Sequence, residues 1–144
     1  MKKVLYSLTV LGFTTFGCQK SGDKEGIEKL QNQVMAVHDE VMPHQELMMD
    51  LKEKISHQID SLSKITPSTP ALKTRQEEGI AANKNLTEAV TMMDDWMNQF
   101  KLDSVKTLDD TQAKAYLNSE LEKITTVKTK INGGITQAKT FLGN

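Results

Sequence analysis

From Ile27 to Ile65 the apolar residues return every three or four positions: Ile27, Leu30, Val34, Val37, Val41, Met48, Leu51, Ile55, Leu62 and Ile65. His44 and the polar Gln58 keep the same spacing. At 3.6 residues per turn this alternation lines up one stripe on one long helix, a heptad seam. Such a seam must be covered along its whole run. Met35, His38, Met42 and Met49 flank it and widen the apolar stripe beyond what a two-stranded coil would use, so the helix needs two neighbours.

The rest of the chain supplies them. "ITPSTPA" carries two prolines, and Thr69 before Pro70 reads as a helix N-cap followed by proline at the first helical position. A second stripe then runs Leu72, Gly79, Ala82, Leu86, Ala89, Met93, Trp96 and Phe100, with Val90 and Met97 beside it. Arg75 interrupts it near the turn, where its guanidinium reaches water. "KLDSVKTLDD" holds turn and capping residues without an apolar period. A third stripe follows: Leu117, Leu121, Ile124, Val127, Ile131, Ile135, Ala138 and Leu142, stopped by Gly143. "NGG" at 132–134 costs about 1 kcal/mol per glycine relative to alanine in a helix, so it implies either close helix packing or a local bend.

The spacing predicts helices over residues 25–65, 70–102 and 108–142. Short connections make successive helices antiparallel. The expected fold is therefore all-α, an elongated, coiled-coil-like antiparallel three-helix bundle spanning 26–144. An aromatic content of 5% and abundant Lys, Glu, Gln, Leu and Met agree with helix over sheet.

The first residues are of another kind. "MKK" is a positive start, "VLYSLTVLGFTTFG" is a short apolar run, and the only cysteine, Cys18, follows Gly17. This is the layout of a secretory signal peptide over 1–17, and the run is shorter than the roughly 20 residues that span a bilayer. The junction resembles a lipobox, with Thr15 and Phe16 where Leu and a small residue are usual. Lipidation of Cys18 is expected, with two or three acyl chains anchoring the protein stably in the outer membrane. Residues 18–25 form a polar tether; which side of the membrane the protein faces stays open. Loss of Lys2 and Lys3 leaves 16 basic against 19 acidic residues, so no nucleic-acid partner is expected.

"VHDEVMP" with "LMMDLKEKI", then "MMDDWMNQF", then "AYLNSELEKITTVKTKI" resemble the small helical lipoproteins of Bacteroidota that often carry the label "viral A-type inclusion protein". The resemblance covers most of the mature chain. That family has no established activity, and its label reflects coiled-coil composition.

One constellation carries possible chemistry. If the first turn centres near residue 67, position i faces about 134 − i across an antiparallel pair, so His38 meets Trp96 and Met42 the region of Met92. His38 and Met42 are four apart on one helix, and Met93 and Met97 four apart on the next. Thioethers with imidazole suit Cu(I), and an indole face beside the ion adds a cation-π contact. In residue types the set resembles the His, Met and Trp sites of periplasmic copper chaperones. Pro43 removes one backbone donor, freeing the carbonyl of Asp39, and kinks the helix at this level. The competing reading is packing, since methionine fills the irregular gap a kink leaves and Trp96 anchors a core. His44 reads as a polar core residue with a backbone or water partner, His57 as a solvated one. Asp94, Asp95, Asp109 and Asp110 read as surface or helix-start charge. The chain has no HExxH, CxxCH, phosphate loop or nucleophile elbow. The functional expectation is a non-enzymatic envelope lipoprotein, an interaction or scaffold module with an envelope protein partner or a second copy of itself, with Cu(I) binding as the alternative.

Overall fold

A computed structural model describes residues 22–143; the signal peptide and Cys18 lie outside these described residues. All regular structure among them is helical: α1 Lys24–Val41, α2 His44–Ser63, α3 Pro70–Gln99, a single turn α4 Leu102–Val105, and α5 Asp110–Leu142. The all-α bundle is the fold the stripes require. At 1.5 Å per residue α5 is about 50 Å long, and no described helix is long and apolar enough to cross a membrane.

Helix ends follow local chemistry. The Thr69 side chain accepts from the Leu72 N–H with Pro70 at the first position, and Asp109 caps α5 by accepting from the Gln112 N–H at 2.9 Å. Gly143 closes α5 at φ 79°, a left-handed conformation that glycine adopts without strain. At Pro43 the long first helix divides into α1 and α2. Met42 and Pro43 keep helical dihedrals, and the Gln45 N–H donates to the Met42 carbonyl at 3.1 Å, a tightened turn across the missing proline donor.

Cross-helix bonds fix the directions. Asn83 donates to Ser56 (3.0 Å) and Gly79 lies against Ile59, so α2 and α3 are antiparallel. Lys130 binds Glu88 (2.6 Å) and Phe100 faces Tyr116, so α3 and α5 are antiparallel too. The Asp23 N–H donates to Asp110 (2.8 Å) and Lys128 binds Glu40 (2.7 Å), which makes α1 and α5 parallel neighbours. α1 lies along α5 and scarcely approaches α3, whereas α2 packs on both.

The core runs the length of the bundle through Val34, Val41, Met48, Leu51, Ile55, Ala82, Leu86, Ala89, Met93, Trp96, Leu117, Ile124, Val127, Ile131 and Ala138. Four expectations need correction. Ile65 lies beyond the end of α2 and is 47% exposed, outside the seam. Arg75 is held in place: it lies over the Phe141 ring at 4.4 Å and donates to the Phe141 carbonyl, one of those left open at the end of α5. The "KLDSVKTLDD" stretch contains α4, which buries Val105. Glu120 is buried in a position where the stripe was assigned to Leu121, itself only partly buried.

The glycines resolve the "NGG" question. A Cβ on Gly134 would stand 3.3 Å from Leu86 Cδ2, so this residue lets α5 approach α3, while one on Gly133 would meet open space. Gly79 is tighter, with Phe141 at 2.6 Å and Ile59 at 2.9 Å from such an atom.

Candidate functional site

The half of the bundle that holds the start of α1 is filled by rings. His38 on α1 lies against Trp96 on α3 with ring centroids 5.5 Å apart and planes at 34°. Phe100 stacks on Trp96 at 4.9 Å, and Tyr116 on α5 stands 6.3 Å beyond Phe100. Aromatic pairs of this kind add about 0.5–1.5 kcal/mol each beyond buried area. The Tyr116 hydroxyl accepts from the Lys101 N–H at 2.8 Å, tying the chain after α3 to α5.

His38 and Trp96 are thus brought together at the expected register. Near the turn the pairing has shifted, with Ser56 opposite Asn83 and Ile59 opposite Gly79. The remaining members of the soft-ligand set are spread from core to surface. Met93 is fully buried, Met42 is half-buried outside the main apolar cluster, and Met97 is 37% exposed. His38 Nδ1 lies 2.9 Å from the Asp39 carboxylate. If Nδ1 carries the proton, Nε2 keeps its lone pair, the arrangement a histidine ligand commonly has. Asp39, the next residue along the helix, is therefore its partner. Among the described residues no group of three His, Cys, Asp or Glu side chains converges on a point.

Four buried polar side-chain atoms have no hydrogen-bond partner among the described residues: His44 Nδ1, Asn83 Oδ1, Trp96 Nε1 and Glu120 Oε2. Of the two partners expected for His44, the backbone one is not made at Nδ1. Trp96 and Glu120 are 5% and 2% exposed. They occupy the same level of the α3/α5 seam: Glu88 meets Lys130 and Phe100 meets Tyr116, which puts Trp96 opposite the turn containing Glu120. Glu120 Oε1 accepts from Lys123 Nζ at 2.8 Å, and this bond holds the Lys123 ammonium above the ordinary lysine range. An open cleft of about 270 Å³ lies beside Trp96 and Lys123, with Met92, Trp96 and Val127 as its apolar wall and Asp95, Gln99, Lys123 and Thr126 completing its lining; Glu120 does not line it. Glu120 was invisible in the sequence because the three-or-four spacing after Leu117 admits either residue 120 or residue 121, and the apolar one was preferred.

Charge elsewhere serves the helix interfaces. Lys114 pairs with Asp23, and hydrogen bonding to it holds the Asp23 carboxyl below the usual carboxylate range. Lys130 lowers Glu88 in the same way. Asp94 and Asp95 are exposed, Asp109 and Asp110 serve the start of α5 and its junction with Asp23, and His57 sits at the surface 3.6 Å from Glu53. No family model matches the chain, and neither curated proteins nor solved structures contain a significant match to it.

Proposed function

We propose that this protein is a non-enzymatic envelope lipoprotein, a rigid helical interaction module tied to the outer membrane by acyl chains on Cys18. The observation that carries this reading is the position of the tethered end. Asp23 caps α1 and binds α5 through Asp110 and Lys114, and Cys18 lies five residues earlier, within about 18 Å of extended chain. The bundle then stands with the α2/α3 turn, residues 64–69, at its far end. Exposed Ile65 and Ile80 in that half offer apolar contact to an envelope protein or a second copy. Cys18→Ser is expected to abolish lipid labelling and move the protein to a soluble envelope fraction. Identical partition of parent and variant into detergent would remove the anchor from this account.

A second reading is favoured by one observation, the Asp39 contact on His38 Nδ1 beside Trp96. Here His38 Nε2 with the thioethers of Met42, Met93 and Met97 holds Cu(I) beside the Trp96 indole. Cu(I) is expected to bind one per chain and quench Trp96 fluorescence. Met42→Leu or Met93→Leu should weaken binding while preserving the fold, because the swap nearly conserves volume. Unchanged affinity in both variants returns the methionines to packing alone.

A further inference from the structure

We propose that the outer edge where α1 and α2 run beside α3 is a docking face for a basic amphipathic helix of a partner protein, its apolar side resting on Met35, Met42, Met49 and Met97. The inference begins with the placing of the methionines. All but Met1 lie within residues 35–49 and 92–97. Met48 and Met93 are fully buried and Met92 packs against the core, but Met35 and Met42 are half-buried without joining it, and Met49 and Met97 are 59% and 37% exposed. Core filling accounts for three of them and leaves four.

Those four share one edge. Met35, Met42 and Met49 are spaced by seven and form one row, which continues past Pro43 because Met42 and Pro43 keep helical dihedrals. The same face of the helix meets α3 at two levels: His38, between Met35 and Met42, lies against Trp96, and Ser56, seven after Met49, bonds Asn83. The row that answers on α3 is Asn83, Val90 and Met97, again spaced by seven. α1 scarcely approaches α3, so among the described residues no helix closes the outer side of this edge. From Met35 to Met49 it runs about 21 Å, the length of a helix of about fourteen residues. Flexible thioethers suit such a guest, since they adapt to the side chains laid on them.

Charge decides what kind of helix fits. Residues 30–51 hold four carboxylates and residues 85–100 hold three, and neither segment has a Lys or Arg. α5 supplies Lys128 to Glu40 and Lys130 to Glu88, whereas exposed Glu46 and Asp94 have no salt-bridge partner among the described residues. Asp39 stands one turn from both Met35 and Met42, Glu46 from both Met42 and Met49, and Asp94 from both Val90 and Met97. Lys52, the first cation in the row, ends the stretch. Carboxylates thus border the methionines on both sides, complementary to Lys or Arg flanking an apolar helix face. They repel an anionic lipid surface, and a second copy docked here about a two-fold axis would set one acidic border against the other.

The probe is a helical peptide of about fourteen residues with Leu on one face and Lys on its flanks. One control carries Glu in place of Lys, and another has the same residues as the Lys peptide in scrambled order. In the full chain the Lys peptide is expected to shift the methyl resonances of Met35, Met42, Met49 and Met97 saturably, and those of Met48 and Met93 much less. Both controls should bind at least about tenfold more weakly. Met49→Ser with Met97→Ser should weaken the Lys peptide about tenfold through lost apolar contact. Glu46→Lys with Asp94→Lys, both at exposed positions, should cut the preference for Lys over Glu peptide at least about fivefold, a change that loss of folding does not mimic. Equal binding of the three peptides, unmoved methionine resonances, or an unchanged preference in the Glu46→Lys, Asp94→Lys variant overturns the proposal. Resonances that move with protein concentration alone assign the face to a second copy, and resonances that move with Cu(I) but with no peptide assign it to the metal; either result overturns it too. The proposal rests on the interaction-module reading and can fail without it, because neither Cys18 nor the contacts of Ile65 and Ile80 enter the test.

Discussion

Around Gly79 and Gly134 the helices meet with almost nothing between them; around Trp96 they are spanned by rings and thioethers. In the first region Gly79 admits the edge of Phe141 and a branch of Ile59, Ala82 is fully buried, and Gly134 lies against Leu86. In the second, Met93, Trp96, Phe100 and Tyr116 fill the interface, and α1 reaches α3 through His38. Both regions are packed, but by opposite means. Short residues bring backbones together and leave little room for variation; long ones fill a wider space with side chains that have several rotamers. All three of the unmatched polar atoms His44 Nδ1, Trp96 Nε1 and Glu120 Oε2 belong to the wide region, and only Asn83 Oδ1 lies toward the narrow one. The difference teaches that this bundle keeps most of its unmatched buried polar atoms where side chains, not backbones, set the distance between helices.

The largest test of the contrast is Trp96→Ala. Trp96 spans the wide region, and its truncation should cost about 3–5 kcal/mol, the range for large buried aromatics, measured as a shift in urea unfolding. A cost below about 1 kcal/mol would mean that the wide half contributes little to the core.

A sharper comparison uses two glycines. Gly133→Ala meets no neighbour and should stabilise by up to about 1 kcal/mol through helix propensity. Gly79→Ala gains the same propensity, yet its methyl meets Phe141, whose ring is held under Arg75, and should destabilise by about 1–2 kcal/mol net. Thermal melts moving in the same direction for both variants would contradict the narrow-region account.

The smallest effect concerns the start of α1. Asp23 has its folded pKa lowered by Lys114 and by the Gly26 N–H, so it stabilises α1 above the unfolded carboxylate value, and that contribution is lost as pH falls through the folded one. Protection factors of α1 amides, taken relative to the intrinsic exchange rate at each pH, should therefore fall on acidification through that window. Asp23→Asn keeps a capping oxygen and removes the charge, so it should flatten this dependence. An unchanged profile in the variant would assign the acid response to other groups.

Much of this architecture was legible in the residue spacing. The second stripe matches the buried face of α3 from Gly79 to Trp96, and Thr69, Pro70 and Gly143 mark helix ends where their backbone preferences require. The positions that escaped depend on distant partners. Arg75 looked solvent-bound because only the folded chain brings the end of α5 beneath it. Ile65 continued the numerical period although α2 ends at Ser63, ahead of the two prolines. For the site, register alone gave His38 against Trp96, while the inward-facing Glu120 could not be told from Leu121 by spacing.

The parallel placement of α1 beside α5 bears on the order in which the chain assembles. α2 and α3 are joined by a short turn and find each other early, since a small loop costs little entropy to close. α1 has its main partner in α5, and the bonds that join them, Asp23 to Asp110 and Glu40 to Lys128, link residues 87 and 88 positions apart. The helix that leaves the ribosome first must therefore wait for the last one. Until α5 arrives, Val34 and Val41 lack the main wall of their core, and the end that holds the start of α1 is the last part of the bundle to close.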